Sequence, residues 1–293
     1  MWGALEIGLI FGLVALGVLI SFRILRFPDL TVDGSFPLGG AVAAILISQG
    51  NDPFLATVVA TFAGAIAGTI TGWLNVRLKI MDLLASILMM IALYSINLRI
   101  MGRPNVPLIM EPTVFTILQP ESIADHIARP LLLIGLVVIA KLALDWFFGT
   151  QTGLAMRATG ANARMARAQG VATGNMLLLG MAISNALVAL AGALFAQSQG
   201  GADISMGIGT IVIGLAAVIV GESILPARKL FYATLAVVLG AILYRFFIAL
   251  ALNADVIGLK AQDLNLVTAL LVTVALVIPL LKKKRARKQK GAQ

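Results

Sequence analysis

The chain has 293 residues, of which 60% are hydrophobic and 12% are charged, and its mean hydropathy is +1.00. A water-soluble domain needs a larger share of polar surface, so this composition excludes the soluble classes and indicates a protein that crosses a membrane several times. The sequence contains no cysteine, which excludes disulfides, thiolate chemistry and cysteine-based metal sites. The single histidine, His126, is expected to be a solvated loop residue.

Apolar windows of about 20 residues are long enough to cross a hydrocarbon core that is about 30 Å thick. In chain order the candidate windows are 3–22, 35–50, 53–75, 80–100, 130–148, 174–198, 206–225, 229–252 and 264–281. The second window is short and carries Pro37, Gly39 and Gly40, so it is predicted to be a broken or half helix that protein shields from lipid. The predicted fold is therefore all-α, a polytopic membrane protein with about nine transmembrane helices in one domain, 1–293.

Lys and Arg are distributed unequally between the two sets of predicted loops. One set, which includes the tail 282–293, carries sixteen basic residues, and the other set carries four. Because cytoplasmic loops carry the excess of Lys and Arg, the amino end is expected outside, and the loop 150–172 and the tail are expected in the cytoplasm. The tail lacks interleaved aromatic residues, so it is expected to attract the anionic lipids of the bilayer and not nucleic acid.

Two similar stretches, DGSFPLG from Asp33 and DISMGIG from Asp203, each stand at the start of a predicted span. Two more pairs follow in the same order: FLATVVATFAGAI with FYATLAVVLGAIL, and DLLASILMMIAL from Asp82 with DLNLVTALLVTVAL from Asp263. Each window lies five spans from its partner, an odd number, which predicts inverted halves at 1–100 and 174–281. Inverted repeats are typical of transporters, whereas chance similarity between Ala-, Leu- and Val-rich helices is the alternative.

The inverted arrangement would place the two Asp-x-Ser motifs at opposite ends of one translocation route. Ser35 and Phe36, after Asp33, would then be gate residues near the inner mouth. By the same reasoning, the residues that follow Asp203 would form the outer gate, namely Ser205 and Met206. The alternative is that Asp and Ser only cap the helix starts, where backbone N–H groups lack partners.

Small residues recur every four positions in window 53–75, from Ala60 to Gly72, which predicts close packing against another helix. A second face, in window 174–198, combines small and polar residues and is predicted to lie near a cavity. Its members are Asn185, Ala189, Gly192, Ala196 and Gln199.

Polar side chains also occur inside two other windows. Ser86, Tyr94 and Asn97 share one helical stripe with Met90, and this stripe is expected either to bond to neighbouring helices or to line the route. Lys141 and Asp145 are spaced i,i+4, so mutual neutralisation is predicted, with a proton relay as the alternative.

The segment TGLAMRATGANARMARAQGV, Thr152 to Val171, interrupts the apolar sequence with three arginines and no acid. Asn162 is a favourable N-cap and Gly170 a favourable stop, so a short helix is predicted between them. The helix is expected to dock on a partner, with arginines facing acidic or carbonyl groups and a methionine filling an apolar pocket; a basic loop that only obeys the charge rule is the alternative. The candidate contact residues are Arg157, Gly160, Asn162, Arg164, Met165, Arg167 and Gly170.

Three segments carry a resemblance to a known family: GLAMRATGANARMARAQGV, FPDLTVDGSFPLGGAV and ALYSINLRIMGRPNVPL. They resemble the permeases of ABC importers that serve branched-chain amino acids, ribose and nucleosides. The second and third segments are similar to a subgroup linked with uptake of tryptophan, tyrosine or related amino acids. The resemblance covers about residues 15 to 280. Ala163 departs from it, since the family often has proline there.

The resemblance implies a second permease subunit, most simply in a homodimer, two cytoplasmic ATPase subunits on the Gly160–Gly170 helix, and an extracytoplasmic solute-binding protein. This sequence has no G-x-x-x-x-G-K-[ST] loop, so no cofactor is expected in this chain, and ATP and Mg would act through the partner ATPase. The expected location is the bacterial cytoplasmic (inner) membrane. A self-sufficient secondary transporter or channel, or a membrane scaffold or enzyme, remains the alternative.

Overall fold

The computed structural model describes residues 2–118, 125–225 and 229–253, together with Thr273. The predictions for window 264–281, the tail and the Asp263 repeat block lie outside these residues. The prediction of His126 as a loop residue is wrong, because His126 lies in the first turn of the helix Asp125–Gly149, and its side chain is outside the described part.

The described chain consists mainly of helices. The long helices are α1 (Trp2–Val18), α3 (Pro53–Val76), α4 (Asp82–Met101), α6 (Asp125–Gly149), α9 (Thr173–Gln199) and α11 (Leu230–Asn253). The shorter elements are a π-helix (Leu19–Ile24), α2 (Val32–Ser48), α5 (Val114–Ile117), α7 (Gln151–Ala161), α8 (Ala163–Ala168), α10 (Thr210–Ile224), and the strands β1 (Asn105–Pro107) and β2 (Gly201–Asp203). Six helices are long and apolar enough to cross a membrane, and α2 and α10 are shorter apolar helices. The prediction of an all-α polytopic membrane protein is therefore confirmed.

The helix α2 lies at the centre of the described structure. At 1.5 Å per residue its 17 residues span about 25 Å, less than the hydrocarbon thickness. It runs unbroken through Pro37, most of its residues are buried, and α3, α4 and α9 surround it. A short helix shielded by protein is thus confirmed, whereas a break in this helix is not observed.

The small-residue face of α3 packs against α9. A Cβ atom at Gly64 would overlap Ala189 and the Asn185 carbonyl, and one at Gly68 would overlap the Met181 carbonyl. The predicted close packing is confirmed. The predicted cavity is not found beside Asn185, Ala189, Gly192 and Ala196, because α2 and α3 cover this part of α9 and bury all four residues. The fifth predicted member of the face, Gln199, is exposed.

Helix packing repeats between two groups of elements. The helices α2 and α3 pack on each other and on α9, while α10 and α11 pack on each other and on α1. A repeat that relates α1, α2 and α3 to α9, α10 and α11 would produce this correspondence. The exact halves 1–100 and 174–281 stay a prediction.

Two contacts confirm which loops share a side of the membrane. The strand β1 follows α4 and β2 follows α9, and the two strands pair antiparallel, so both loops lie on the same side. On the other side, the backbone of Gly160 in α7 lies against the Ile24 carbonyl at the end of the π-helix. These pairs match the loops predicted to be outside and cytoplasmic, respectively.

Candidate functional site

The helices α7 and α8 lie in the loop that is predicted to be cytoplasmic, and a side chain caps the N-terminus of each. Thr150 Oγ1 accepts a hydrogen bond from the Gly153 N–H at 3.3 Å. Asn162 ends α7 and begins α8, where its Oδ1 accepts from the Met165 N–H at 3.1 Å. Gly170 has φ +84°, the left-handed conformation that terminates a helix and that glycine adopts without steric cost. The predicted cap, helix and stop are all present.

The helices α7 and α8 present a basic surface to solvent. Arg157, Arg164 and Arg167 are exposed, and Met165 is 63% exposed between two of them. Arg167 donates from Nη2 to Thr173 Oγ1 at 3.1 Å, which fixes its direction relative to α9. Apolar area framed by positive charge is suited to an apolar partner site with acidic or carbonyl groups at its rim.

A buried polar cluster lies inside the membrane region, where α2, α3 and α9 meet. Ser35 Oγ donates to Asn185 Oδ1 at 2.7 Å, and Asn185 Nδ2 donates to Asp29 Oδ2 at 2.8 Å. Asp29 Oδ1 also accepts from the Thr31 N–H at 3.0 Å. The Thr31 and Thr71 hydroxyl oxygens are 2.9 Å apart and hydrogen-bonded. Ser35 and Asn185 are therefore brought together as bonding partners, and neither is exposed to solvent.

The two Asp-x-Ser motifs meet through Asp33. Its carboxylate accepts from the N–H groups of Ile211, at 2.7 Å, and Gly209, at 3.3 Å, and so satisfies donors at the start of α10. A Cβ atom at Gly207 would overlap the Asp33 carbonyl. The segment after β2 therefore folds inward until it contacts α2. Whether the two motifs lie at opposite ends of a route stays a prediction.

The predicted gate side chains are placed differently from one another. Phe36 is fully buried, with its ring centroid 5.7 Å from that of Phe11 and 5.5 Å from that of Phe195. Met206 is half-buried, and its Cε lies against Gly40. These contacts pack α1, α2 and α9 together. Whether either residue gates a route stays a prediction.

The polar stripe on α4 is divided between two environments. Ser86 Oγ donates to the Leu83 carbonyl at 2.9 Å and the Pro28 carbonyl at 3.2 Å, and Asn97 Nδ2 donates to the Gly34 carbonyl at 3.1 Å. Both side chains bond within the subunit. Tyr94 is 57% exposed and points away from it.

The outer motif is stabilised by its own residues. Asp203 Oδ1 accepts from both the N–H, at 2.7 Å, and the hydroxyl of Ser205, and Asn105 donates to Oδ2 at 3.3 Å. The hydrogen bond from the Ser205 side chain is the main reason that the pKa of Asp203 is lowered from its ordinary value. These hydrogen bonds form a local turn beside the β1–β2 strand pair, and neither side chain caps α10.

Lys141 and Asp145 form the predicted pair, with Nζ 2.6 Å from Oδ2. Thr234 on α11 donates to the other carboxylate oxygen at 2.8 Å, and the Lys141 Nζ lies 3.1 Å from the centroid of the Phe231 ring. The pair neutralises its charges and joins α6 to α11. Among the described residues, no group of three His, Asp or Glu is arranged to hold a metal ion.

Sequence reasoning missed several polar residues that hold these elements. Asp29 and Thr71 belong to the cluster around Asn185, and Gln197 joins Thr57 Oγ1 at 2.9 Å to the Val114 N–H at 2.9 Å. The sequence could have indicated Asp29, since it is an acidic residue in an apolar stretch between two spans. The sequence gives no comparable indication for the threonines, because the side chain of a threonine in an apolar helix commonly forms a hydrogen bond to the backbone of its own helix.

The chain is similar to known transport proteins along most of its length. A family model described as branched-chain amino acid transport system / permease component matches residues 3–280. A tyrosine transport system permease protein of Clostridioides difficile is 38% identical over 264 residues, which is 90% of this chain and 86% of the relative. The galactofuranose transporter permease protein of Escherichia coli is 26% identical over 257 residues, 85% of this chain and 71% of that protein. No solved structure matches at a significant level.

Proposed function

Because the chain belongs to the family of branched-chain amino acid transport permease components, we propose that it is the membrane subunit of an ATP-driven importer for an amino acid in the bacterial cytoplasmic membrane. The observation that carries the proposal is the capped, solvent-exposed helix pair α7–α8, whose backbone contacts the π-helix after α1. The 38% identity to a tyrosine transport permease makes tyrosine and related aromatic amino acids the first cargo to test.

The surface of α8 is the proposed contact for a cytoplasmic ATPase, which would supply ATP and Mg. Arg164 and Met165 point into solvent from a helix whose two ends are fixed by Asn162 and Gly170. A rigid helix loses little conformational entropy on docking, and it moves as a body when its partner moves. The role of α8 is thus to receive the ATPase's movement.

A second copy of the chain is proposed to cover the outer face of α4. The exposed residues of α4 include Tyr94, Ser95 and Arg99, whereas every exposed residue of α6 from Leu131 to Trp146 is apolar. Polar groups that face hydrocarbon are unfavourable. The exposed face of α6 is therefore suited to contact lipid, and the exposed face of α4 is suited to contact a protein partner or to line a polar route. An extracytoplasmic solute-binding protein would deliver the cargo on the β1–β2 side.

Reconstitution with the ATPase and binding protein tests the proposal. We expect uptake of a labelled amino acid into vesicles that requires both partners and ATP. The Arg164→Glu/Met165→Glu variant should insert normally but lose most uptake and most stimulation of ATP hydrolysis, because it reverses the charge and polarity of the contact surface.

Arg77→Glu is the matched control, since Arg77 is also an exposed basic residue on the cytoplasmic side. If the control loses as much uptake as the α8 variant, the surface of α8 has no special role and the basic loops only set topology. Uptake that continues without ATP and stops when the proton or sodium gradient is dissipated would contradict the importer and favour a secondary transporter.

A further inference from the structure

We infer that the connector, Leu19–Thr31, transmits movement of α7–α8 to the start of α2, and that Asp29 is the positioning residue that fixes the connector to the membrane-embedded polar cluster. The inference rests on the proposed function and adds to it the internal route by which the cytoplasmic contact reaches the membrane interior.

The connector contacts α7 and α9 at Ile24 and Leu25. A Cβ atom at Gly160 would overlap the Ile24 carbonyl, so the two backbones touch directly. Leu25 lies against Gly180 of α9, and Met156 of α7 packs at the same place, its Sδ 3.2 Å from a Cβ built at Gly180. Because backbone atoms cannot change rotamer, a displacement of α7 must displace the connector too.

The backbone conformation in the middle of the connector is unusual. The Leu25 N–H donates to the Ile20 carbonyl at 2.9 Å, the i to i−5 pattern of a π-helix, and the Phe27 N–H donates to the Ser21 carbonyl at 2.8 Å. Arg26 has φ +58°, a left-handed conformation that a side chain with a Cβ disfavours. Single π-turns and strained residues occur often at functional sites, where the surroundings hold a conformation that the chain alone would leave.

The upper end of the connector is held by hydrogen bonds that leave little freedom. Asp29 is 1% exposed, and its two oxygens accept from Thr31 and Asn185. Asn185 in turn accepts from Ser35 in the first turn of α2. A shift of Asp29 would therefore carry α2 with it or break bonds that no water replaces.

The start of α2 is in turn bound to α10. Asp33 lies two residues before Ser35 and accepts from the first N–H groups of α10. The contacts thus run without interruption from α7, through the connector and Asn185, to the junction of α2 and α10. Ile208, in the segment that leads into α10, is 74% exposed and gives a position where movement of this junction can be read.

The test uses a cysteine at Ile208 in a chain that has no other cysteine. In the reconstituted importer, ATP binding is expected to change the labelling rate of Ile208→Cys by an impermeant thiol reagent. Gly160→Ala inserts a methyl group between α7 and the connector and should reduce both this nucleotide response and uptake by about tenfold. Gly149→Ala is the matched control, because a Cβ atom there meets nothing within 4 Å.

The role of Asp29 is tested by exchanging it with its partner. Asn185→Asp would set two carboxylates against each other, and Asp29→Asn would leave one amide oxygen for two donors. In the exchanged double variant, the amide at position 29 can accept from Thr31 and donate to the carboxylate at position 185, which still accepts from Ser35. We expect each single variant to lose most uptake and the exchange to restore at least half of it and the nucleotide response at position 208.

The outcomes separate this inference from the proposed function. The wild-type complex could fail to import while Gly160→Ala still changes the labelling rate of Ile208→Cys in the isolated permease. That result would contradict the importer proposal and support the inference about the connector. If the complex imports but Gly160→Ala behaves like Gly149→Ala, or the exchange restores the amount of folded protein without restoring uptake, the connector inference is overturned.

Discussion

The two Asp-x-Ser motifs share a sequence pattern, but one lies at the protein surface and the other is buried among helices. Asp203 and Ser205 lie at the surface, beside the β1–β2 strand pair, and bond mainly to each other. Asp33 and Ser35 lie among helices, and they bond to the N-terminus of α10 and to Asn185 on α9. Both members of the inner motif therefore join distant parts of the chain, while the outer motif orders one turn.

Access to water explains this difference. At the surface, a polar group that lacks a protein partner can bond to water, so a short local motif needs nothing further. In the membrane interior each donor and acceptor requires a protein partner, and the nearest ones are on other helices. The same three-residue pattern thus forms a local turn at the surface and a junction between helices in the interior.

The largest expected effect distinguishes the two aspartates. Asp33→Ala removes the acceptor of two backbone donors in α10 and should lower the free energy of unfolding by about 3 kcal/mol, whereas Asp203→Ala should cost about 1 kcal/mol or less. The measurement is unfolding of both variants in the same detergent. Equal losses would show that burial does not distinguish the motifs.

The next effect concerns the point where the motifs touch. Gly207→Ala places a methyl group against the Asp33 carbonyl and the Pro37 ring and should destabilise the protein by about 2 kcal/mol. The neighbouring Ile208→Ala changes an exposed side chain and serves as the control. A thermal midpoint for Gly207→Ala that matches the control would mean that this contact tolerates separation.

A smaller effect separates the two serines. Ser35→Ala leaves Asn185 Oδ1 without its donor in the interior and should cost about 1.5 kcal/mol, while Ser205→Ala keeps the backbone bond to Asp203 and should cost about 0.5 kcal/mol. Urea or SDS titration of the two variants gives both values. A larger loss of unfolding free energy for Ser205→Ala than for Ser35→Ala would contradict the proposed difference between the two motifs.

The smallest effect is the pH dependence of the outer motif. The pKa of Asp203 is lower in the folded protein, chiefly through the Ser205 hydroxyl, so ionised Asp203 stabilises the fold above the ordinary pKa of about 3.9. This contribution disappears as the pH falls through the folded-state pKa. The stability difference between wild type and Asp203→Asn should therefore be constant from pH 7 to pH 5 and shrink towards pH 3. A difference that grows on acidification would contradict the assignment.

Features that depend on neighbouring residues were predictable from the sequence. Asn162 caps α8 and Gly170 ends it because capping and the left-handed conformation are decided within a few residues. The Ala60–Gly72 face predicted close packing, since a row without side chains admits another backbone in any helical membrane protein. Hydropathy located the spans for the same reason, as lipid imposes one length and one polarity on every crossing helix.

Only the tertiary structure decided the partners of the buried polar groups. Nothing near Asp29 in the sequence indicates Asn185, which lies 156 residues away, and nothing near Asp33 indicates the start of α10. The identical Asp-x-Ser pattern could not reveal which copy would be buried, because burial depends on how α2, α9 and α10 pack and not on the residues beside the motif. The sequence determined where polar groups enter the membrane. The packing of the helices determined which groups they meet there, because without water a polar group is stabilised only by the partners that the fold brings to it.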